Sequence, residues 1–474
     1  MKEITDIVVP DTKFPTKVIQ FGEGNFLRAF VDWQIQQVNN HGLFEGGVAI
    51  VQPLPQGMIQ NLEAQNNRYT VVLEGLLEGQ VIQSDECITC INTTVDPYKE
   101  FERYLELADC ETIEVIFSNT TEAGIAFDPT DRFDAQPAHT YPGKLTQLLY
   151  RRFKNGLKGF SIIPCELIEH NGDKLKETVL QYAALWELEP AFSEWIQLDN
   201  EFYSTLVDRI VPGFPHDTKE EVFERIGYSD PLLVKAEPFL LFVIEGNPQL
   251  AEQLPFAKVG LNVILTEDIT PYRERKVRLL NGPHTTMTPI GLLAGVETVG
   301  EMMKDADFAP FIADVMEKEI APMIQLPREE LSSYIEAIKE RFANPFVEHA
   351  LSAISLNSIS KFKSRLLPSL LQNLETTNQV PQRITLALAS LFVIYGEYDG
   401  ITVAPIDTDE VIETFRRARK QDNYIQTILQ DTTLWGEDLT SYPELVNQVQ
   451  VDVDMILTKG VREVAKEMSK QTVL

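Results

Sequence analysis

Apolar and polar positions follow different patterns in the two halves of the chain. Up to about residue 267, short apolar runs alternate with stretches of helical periodicity, which is typical of strand–helix units. The predicted strands lie at residues 17–21, 47–52, 69–73, 81–92, 113–117, 159–164, 239–245 and 259–265. The predicted helices of this half lie at residues 29–39, 96–108, 142–153, 173–186 and 190–200.

The second half has only the helical period. Strand-like runs disappear after about residue 268, and helices are predicted at 284–303, 307–319, 328–342, 345–356, 364–376, 383–397, 408–430 and 443–468. We therefore predict an α/β fold with two domains. A Rossmann-like α/β domain spans residues 1–267, and a mainly α-helical domain spans residues 268–474.

The first predicted strand leads into a glycine-containing turn. Residues 17–21 are followed by Gly22-Glu-Gly24-Asn-Phe-Leu-Arg28, which opens the first helix. Glycines here let the backbone approach a pyrophosphate, and the helix start favours its negative charge. Leu27 occupies the place of the third glycine in G-x-G-x-x-G. The pattern by itself is therefore only a weak indication of a nucleotide site.

Two other strand ends bear on a nucleotide site. An NAD site often has an acidic residue after the second strand, but Gln52-Pro53 stand here, so the residues alone do not separate NAD from NADP. Polar residues 118–122 (Ser-Asn-Thr-Thr-Glu) follow the strand at 113–117. Ligands bind at such positions in parallel sheets, and an ordinary turn is the alternative.

A lysine, an amide and an imidazole stand within nine residues of the second half, as Lys276-x4-Asn281-x2-His284. A helix start is predicted just upstream at Thr270-Pro271. On a regular helix, at roughly 100° per residue, His284 lies about 80° and Asn281 about 140° from Lys276. Gly282-Pro283 predicts a kink near Leu280 or a second helix that starts at Pro283.

These three residue types suit reversible alcohol–ketone chemistry. A lysine whose pKa is lowered by burial exchanges a proton near neutral pH. An asparagine amide stabilises a developing alkoxide, and a histidine hydrogen-bonds a substrate hydroxyl. The alternative is a surface lysine, a capping asparagine and a buried histidine, and the spacing alone does not decide between them.

Net charge narrows the class of partner. The chain has 474 residues and a formal net charge of −30, which argues against nucleic acid and anionic membrane surfaces. An anionic substrate would need a local basic pocket. No apolar run reaches the length of a membrane span and the N-terminal residues lack a signal-peptide pattern, so we expect a cytoplasmic protein.

Metal ligation is not indicated. The six histidines show no ligand spacing. Cys87 and Cys90 form a lone C-x-x-C, but they lie in a predicted strand, where positions three apart face opposite sides. We therefore expect no metal site.

Residues 357–368 contain a basic cluster in the helical half. Lys361, Lys363 and Arg365 are three cations within five residues. One interpretation is a solvated basic face. The other is recognition of a substrate carboxylate, to which the fork of Arg365 is suited. On a helix, Lys361 and Arg365 share a face and Lys363 points elsewhere.

Together these segments resemble the mannitol dehydrogenase family of polyol-specific long-chain dehydrogenases. Lys276-x4-Asn281-x2-His284 and the small apolar helix after it resemble the catalytic signature of the family. Phe21-Gly-x-Gly-Asn-Phe-x-Arg28 resembles its cofactor loop, and the likeness extends over nearly the whole chain. The resemblance implies NAD as the cofactor and catalysis by Lys276, Asn281 and His284.

The resemblance also implies binding residues. The cofactor candidates are Ile19, Gln20, Phe21, Gly22, Glu23, Gly24, Asn25, Phe26, Leu27, Arg28, Thr121 and Glu122. Of these, Arg28 resembles either a phosphate contact or a structural contact of the loop. Asp208 lies in a Val-Asp-Arg-Ile block whose aspartate lies by the substrate in the family, although an ion pair with Arg209 is the alternative. Lys361 matches a lysine of the family that contacts substrate, and Arg365 completes the substrate-binding set.

One segment departs from the polyol members of the family. They usually carry Cys-Asp-Asn where this chain has Cys165-Glu166-Leu167, and their asparagine supplies a second amide to the oxyanion. Leu167 cannot do so. Asn171 is a candidate replacement by proximity, and a bystander role for it is equally open.

The combined prediction is an NAD-dependent oxidoreductase that reversibly interconverts a sugar-acid ketone and its alcohol in hexuronate breakdown. We expect a small-molecule substrate, no nucleic-acid or membrane partner, and a monomer or homodimer. Alternatives are a reductase for an epimeric sugar acid and a dehydrogenase for neutral polyols. A sugar-acid sensor on a dehydrogenase scaffold is a further alternative, but it predicts a damaged Lys–Asn–His set, and this set is complete.

Overall fold

A computed structural model describes residues 1–7, 14–121, 123–346 and 349–470. The chain divides into two compact units. The first comprises Met1–Gly75 and Val81–Ile269, and the second comprises Leu76–Gln80 and Thr270–Leu474.

The first unit is built on a parallel six-stranded sheet. Its strands, in spatial order, are Ile91–Val95, Gly47–Val51, Thr16–Phe21, Val115–Ser118, Ser161–Pro164 and Glu201–Phe202. The first of these strands along the chain lies in the middle, and the chain builds one side before it returns to build the other. This is the Rossmann order. The predicted fold class, a Rossmann-like unit followed by a helical one, is confirmed.

Further β-structure accompanies this sheet. Two sheets have three strands each, in the orders Ser204–Asp208, Leu241–Glu245, Val263–Thr266 and Val234–Ala236, Tyr69–Leu77, Gln80–Ile88, and Lys2–Glu3 pairs with Tyr228–Ser229. The prediction of one strand over 81–92 was wrong. The chain leaves one sheet after Ile88 and enters another at Ile91, so a single apolar stretch serves two sheets.

Helices cover both faces of the parallel sheet, which is why Gly47–Val51 and Val115–Ser118 are buried along their whole length. The α-helices are Asn25–Leu27, Trp33–Asn40, Ile59–Ala64, Phe101–Glu106, Tyr141–Lys154, Asn171–Leu185, Pro190–Leu198, Lys219–Ile226 and Leu250–Gln253. A π-helical segment, Arg28–Asp32, joins the first two into one helix, and 3₁₀ turns occur at Ile4–Asp6, Leu107–Asp109 and Phe256–Val259.

The second unit is helical around one central helix. Gln382–Tyr395 is buried at every position from Arg383 onward and packs against Pro443–Lys459 and Gly282–Leu293. A helix that is apolar all round belongs in a core. The other α-helices are Thr270–Arg275, Val299–Lys304, Phe308–Asp314, Arg328–Phe342, Leu351–Ile354, Ser358–Arg365, Leu367–Thr377, Asp409–Arg419, Tyr424–Leu429, Thr432–Trp435 and Val461–Lys470. The π-helical segments are Lys276–Asn281 and Val315–Ile320, and 3₁₀ turns occur at Ala321–Met323 and Leu439–Ser441.

Several predicted helices are shorter than their periodicity indicated. The stretch 284–303 is broken near Gly295, whose φ is +74°, and 443–468 is broken at Gly460, whose φ is +82°. Glycine in the left-handed region ends a helix while the apolar period continues beyond it. The stretch 408–430 also forms two helices. Of 345–356 only Leu351–Ile354 is helical, and residues 347–348 lie outside the described part.

In the described part of the chain, no helix is both long enough and apolar enough to cross a membrane. The same residues contain no cluster of three or more histidine, cysteine or acidic side chains that could hold a metal ion.

Candidate active site

A cavity of about 550 Å³ lies in the first unit. Its lining comes from the loops that follow three central strands of the parallel sheet, Thr16–Phe21, Gly47–Val51 and Val115–Ser118. The lining residues are Gly22, Glu23, Gly24, Pro53, Leu54, Gly57, Met58, Asn119, Thr120, Thr121, Ala123, Gly124, Ala126, His139, Thr140 and Tyr141. The strand order reverses beside Thr16–Phe21, and this switch point is where such sheets bind dinucleotides.

The two glycines of the first turn have different tasks. Gly22 has φ +120°, and a Cβ there would lie 3.0 Å from the Asn119 carbonyl oxygen, so the backbone itself requires glycine. Gly24 has an ordinary φ of −68°, and a Cβ there would meet no atom within 4 Å. Gly24 therefore keeps open the space in front of the helix that starts at Asn25.

This difference makes Gly24→Val a clean test of the cofactor site. The variant should fold, because valine is allowed at this φ and has room, whereas its branched side chain would occupy the path of a pyrophosphate. We expect NADH binding to be lost in a fluorescence titration while the circular dichroism spectrum is kept. The matched control is Ala64→Val, at a helix end outside the cavity lining. Gly79→Val, on a hairpin turn away from the cavity, is unsuitable because Gly79 has a φ of +73°, which valine rarely adopts. Unchanged NADH affinity in Gly24→Val would mean that the turn is only structural.

Arg28 stabilises the glycine turn through hydrogen bonds to residues of the turn. Its guanidinium donates to the Glu23 carbonyl oxygen (3.1 Å), the Asn25 side-chain oxygen (2.7 Å) and the Leu232 carbonyl oxygen (2.6 Å). It also lies over the ring of Tyr69, 5.0 Å from its centre. Arg28 is buried and does not line the cavity. Of the two roles that the sequence left open for it, a phosphate contact or a structural one, these contacts favour the structural one.

The other cofactor candidates separate into lining and supporting residues. Gly22, Glu23, Gly24 and Thr121 line the cavity. Ile19, Gln20, Phe21, Asn25, Phe26 and Leu27 do not line it. Gln20 donates to the Gly22 carbonyl oxygen (3.1 Å) and so supports the turn. Glu122 lies outside the described residues.

The loop after Val115–Ser118 is organised by Glu166, which sequence analysis noted only as a departure from the family. The buried Glu166 carboxylate accepts hydrogen bonds from the Ser118 hydroxyl (3.1 Å) and from the backbone N–H and hydroxyl of Thr120 (both 2.9 Å). Burial raises the pKa of Glu166. Thr121, next in the loop, has φ +72°. A β-branched residue rarely adopts this conformation, and such strain clusters at ligand sites.

Asn171 is not available as a second oxyanion amide. Its side-chain nitrogen donates to the carbonyl oxygens of Pro164 and Glu166 and to the Thr205 hydroxyl, each at 3.0 Å. Its side-chain oxygen accepts from the Thr205 N–H (2.8 Å). Asn171 is therefore a bystander that ties two strand ends together. Leu167 is 62% exposed, so the position of the missing amide is a surface position in this unit.

In the second unit, Lys276, Asn281 and His284 lie on one continuous helix. Thr270–Arg275 is α-helical, Lys276–Asn281 is π-helical, and Gly282–Leu293 is α-helical again. The predicted second helix start at Pro283 corresponds to the α-helix Gly282–Leu293, which begins one residue earlier and follows the π-helical segment directly. The alternative, a kink near Leu280, stays a prediction. Pro283 lacks the N–H that an α-turn needs. The turn before it is wider, and in it the Gly282 N–H donates to the Val277 carbonyl oxygen, five residues back. The angles expected for a regular helix do not hold here, because a π-turn contains more residues.

Lys276, Asn281 and His284 are partly exposed, as are Val277 and Arg278 of the same segment. Leu279, Leu280, Gly282 and Pro283 are buried. The π-segment is anchored through its arginines. Arg275 pairs with Glu330 and lies over Tyr334, and Arg278 donates to the Met323 carbonyl oxygen (3.1 Å). Residues adjacent to the trio thus help to hold this helix in place.

His284 has an unused polar atom. Its ring nitrogen Nε2 is buried and has no hydrogen-bond partner among the described residues. Burial, followed by the nearby His349, Arg341 and Arg365, lowers the pKa of His284 well below its usual value. The imidazole is therefore neutral, and a buried polar atom of this kind calls for a partner. A ligand hydroxyl would satisfy it.

The aromatic groups around His284 were not predicted from the sequence. The His349 ring centre lies 4.8 Å from that of His284, and the Phe342 ring centre lies 4.4 Å away. Burial lowers the pKa of His349 as well. No local pattern could have indicated this pair, because the two histidines lie on separate segments that only tertiary packing brings together.

Arg365 is brought to the helix of the trio. Its guanidinium donates to the Thr285 hydroxyl (3.3 Å), which in turn donates to the Asn281 carbonyl oxygen (3.0 Å). The Arg365 carbonyl oxygen also packs against this helix, 3.6 Å from the position that a Cβ on Gly282 would take. No carboxylate among the described residues bonds to Arg365, and burial lowers its pKa.

The two lysines of the basic cluster take different directions. Both lie on the helix Ser358–Arg365. Lys361 is close enough to Arg365 for their charges to interact, and its ammonium donates to the Ile354 carbonyl oxygen (2.8 Å). The Lys363 side chain instead lies beside Gly436, where a Cβ would be 3.3 Å from it.

Asp208 is in the first unit, at the end of the strand Ser204–Asp208, and it is buried. Its neighbour Arg209 donates to the carbonyl oxygens of Ala29 (2.8 Å) and Glu237 (2.9 Å) and lies over the ring of Trp33. Arg209 thus binds two carbonyl oxygens and an aromatic ring, whereas the alternative prediction from the sequence was an ion pair between Arg209 and Asp208. Burial lowers the pKa of Arg209 to about 9.

Comparison with known proteins gives the same assignment for both parts of the chain. Residues 16–258 match the model of the mannitol dehydrogenase Rossmann domain, and residues 268–457 match that of the mannitol dehydrogenase C-terminal domain. The chain is 43% identical over 482 aligned positions to altronate oxidoreductases of Escherichia coli K12 and Shigella flexneri, and the alignment covers 99% of this chain and all of each relative.

Two solved structures share the fold. D-sorbitol dehydrogenase superposes with a TM-score of 0.81 at 22% identity, with 95% of each chain covered. Pseudomonas fluorescens mannitol 2-dehydrogenase, solved with NAD and D-mannitol, superposes with a TM-score of 0.70 at 22% identity, with 99% of this chain and 96% of that chain covered. With both domain models matched in order and relatives of 43% identity along its whole length, the chain belongs to the mannitol dehydrogenase family.

Proposed function

We propose that this protein is an NAD-dependent oxidoreductase that interconverts D-tagaturonate and D-altronate in hexuronate breakdown. The observation that carries the proposal is the complete Lys276, Asn281 and His284 set with Arg365 placed beside it. The relatives named altronate oxidoreductase support this substrate pair, since they align along the whole chain. The enzyme class and family predicted from the sequence are confirmed.

The first unit fits NAD. The cavity lies at the switch point of the parallel sheet, Gly24 leaves open space, and the helix that begins at Asn25 directs its N–H groups to that space. Gly22, Glu23, Gly24 and Thr121 would hold the cofactor. Bound NAD would supply the hydride acceptor for oxidation of the alcohol carbon, and bound NADH the hydride donor for reduction of the ketone.

The second unit supplies the acid–base chemistry. Lys276 takes the proton from the reacting hydroxyl in the oxidation direction and returns it to the oxygen in reduction. The Asn281 amide donates a hydrogen bond to that oxygen and stabilises its negative charge. The neutral His284 has a free Nε2 with which to hold a substrate hydroxyl, and Asp208 is the proposed partner of another hydroxyl.

Arg365, together with Lys361, is the proposed receptor for the sugar-acid carboxylate. The chain carries a net charge of −30, so its mean field repels an anionic substrate. A partly buried guanidinium to which no described carboxylate bonds can reverse that field locally. An Arg–carboxylate contact is both strong and directional.

Arg365→Leu and Lys361→Met should each raise the KM for tagaturonate by roughly tenfold to a hundredfold, the value of a lost charge-assisted hydrogen bond. Activity on the neutral ketose fructose should change much less, because fructose has no carboxylate. The measurement is steady-state oxidation of NADH with both substrates.

Lys363→Met is the matched control on the same helix, since the Lys363 side chain lies toward Gly436. It should leave both KM values unchanged. An equal rise in KM for tagaturonate and for fructose in Arg365→Leu would indicate that the cluster has a structural role. A rise in KM in Lys363→Met alone would contradict the proposal that Lys361 and Arg365 act from one face of the helix.

The activity itself is tested by the fall in NADH absorbance with tagaturonate, and by its rise with NAD and altronate. Fructuronate and fructose are the comparison substrates, since they represent the epimeric sugar acid and the neutral polyol alternatives. Faster turnover of either would redirect the substrate assignment. Binding of tagaturonate without any turnover would favour the sensor.

We further propose that the enzyme acts in the cytoplasm, where NADH is available, as a monomer or homodimer. Cell fractionation and light scattering of the purified protein test these two statements.

A further inference from the structure

We propose that Glu23 distinguishes NAD from NADP, by binding the adenosine ribose hydroxyls with its carboxylate and repelling a 2′-phosphate. The inference rests on the proposed use of NAD. It assigns a task that Rossmann proteins usually give to an acidic residue after the second strand, and this chain has no acid at that place.

Gln52, which follows the strand Gly47–Val51, does not replace the missing acid. Its side-chain nitrogen donates to the carbonyl oxygens of Leu54 (2.9 Å) and Pro55 (3.4 Å). The amide is thus folded back onto its own loop, and Gln52 is not among the residues that line the cavity.

Glu23 reaches the same place from the glycine turn. Its oxygen Oε1 accepts a hydrogen bond from the Met58 N–H (3.2 Å), and the residue is only 8% exposed. A Cβ built on Gly57 would lie 2.2 Å from Glu23 Oε1 and 2.4 Å from Gln52 Oε1, so both oxygens are close to one point. The Glu23 carboxylate therefore stands where the second strand ends, in a residue that lines the cavity.

The surroundings favour a hydroxyl over a phosphate. No lysine or arginine occurs among the described residues that line the cavity. The nearest guanidinium, that of Arg28, is engaged with the Glu23 carbonyl oxygen, Asn25 and Leu232. The Glu23 carboxylate accepts from the Met58 N–H and from its own backbone N–H, and a carboxylate has further acceptor positions that a ribose hydroxyl can use. Gly57 is required so that the carboxylate can approach the loop.

Burial raises the pKa of Glu23, whereas the Met58 N–H, its own backbone N–H and Arg28 act in the opposite direction. The test is therefore made at pH 8, so that the carboxyl group is ionised. Dissociation constants for NADH and NADPH are measured by fluorescence titration, a readout that does not depend on turnover.

Glu23→Gln is the decisive variant. Glutamine keeps an acceptor for the Met58 N–H but removes the charge. We expect the ratio of the NADPH to the NADH dissociation constant to be high in the natural protein and to fall by about tenfold or more in the variant, the order of one charge-assisted contact. Glu177→Gln, an exposed position on the helix Asn171–Leu185, is the matched control and should leave the ratio unchanged.

Glu23→Asp is the second variant, in case Glu23→Gln does not fold. It keeps the charge and withdraws the carboxylate by one carbon, so NADH should bind more weakly while NADPH stays rejected. An unchanged ratio in Glu23→Gln, improved NADPH binding in Glu23→Asp, or a natural protein that binds both cofactors equally would overturn the inference alone. A natural protein that binds neither cofactor would overturn the proposed function as well.

Discussion

Lys276→Met should fold, bind NADH with natural affinity and lose turnover by about 10²–10⁴, the range for a removed general acid–base group. Methionine keeps the length of the stem and removes only the proton-carrying nitrogen. The loss should appear in kcat for both reaction directions.

Lys304→Met is the matched control, since Lys304 is an exposed lysine near the end of the helix Val299–Lys304 in the same unit. It should retain natural kinetics. Natural turnover in purified Lys276→Met would exclude Lys276 as the acid–base group. Loss of NADH binding together with turnover would show that the substitution disturbs the protein more widely.

Asn281→Ala should lower kcat by about 10²–10³, the cost of one donor to a developing oxyanion, with a much smaller change in KM. The amide acts on the charge that appears in the transition state, so substrate binding should suffer little. No second amide is available from Asn171, which is committed to Pro164, Glu166 and Thr205. We therefore expect no compensation by Asn171 for the loss in kcat. Stopped-flow reduction of tagaturonate by bound NADH measures the chemical step directly.

Asn447→Ala, an exposed position on the helix Pro443–Lys459, is the matched control for the loss of an asparagine from a helix of the same unit. A variant at Asn281 that raises KM and leaves kcat unchanged would assign the amide to substrate binding. Natural kinetics would show that Asn281 has no part in the reaction.

The cofactor turn illustrates how far local sequence reaches. The apolar run, the glycines and the helix after them predicted the turn, and the structure shows that Gly22 serves the backbone while Gly24 leaves open space. Arg28 resembled a phosphate contact as much as a structural one. Its three acceptors decide between them, and one of these, the Leu232 carbonyl oxygen, lies far away in the chain.

The helix of the trio shows the limit of periodicity. From the local sequence around Pro283, only a regular helix or a helix broken by proline could be predicted. The structure instead widens the turn over Lys276–Asn281 and continues the helix. Contacts of Arg275 with Glu330 and of Arg278 with Met323 hold this wider turn, and both partners belong to other segments.

The sequence by itself determined the parallel sheet, the glycine turn, the helical second half and the family signature, because these depend on burial periods and on residues adjacent in the chain. Only the tertiary structure decided that His349 lies against His284, that Glu166 organises the loop at Thr120, and that Glu23 stands beside Gly57. Each of these contacts joins segments that are distant in sequence. A local pattern records which face of an element is buried, whereas the partner on that face is chosen by the packing of the whole unit.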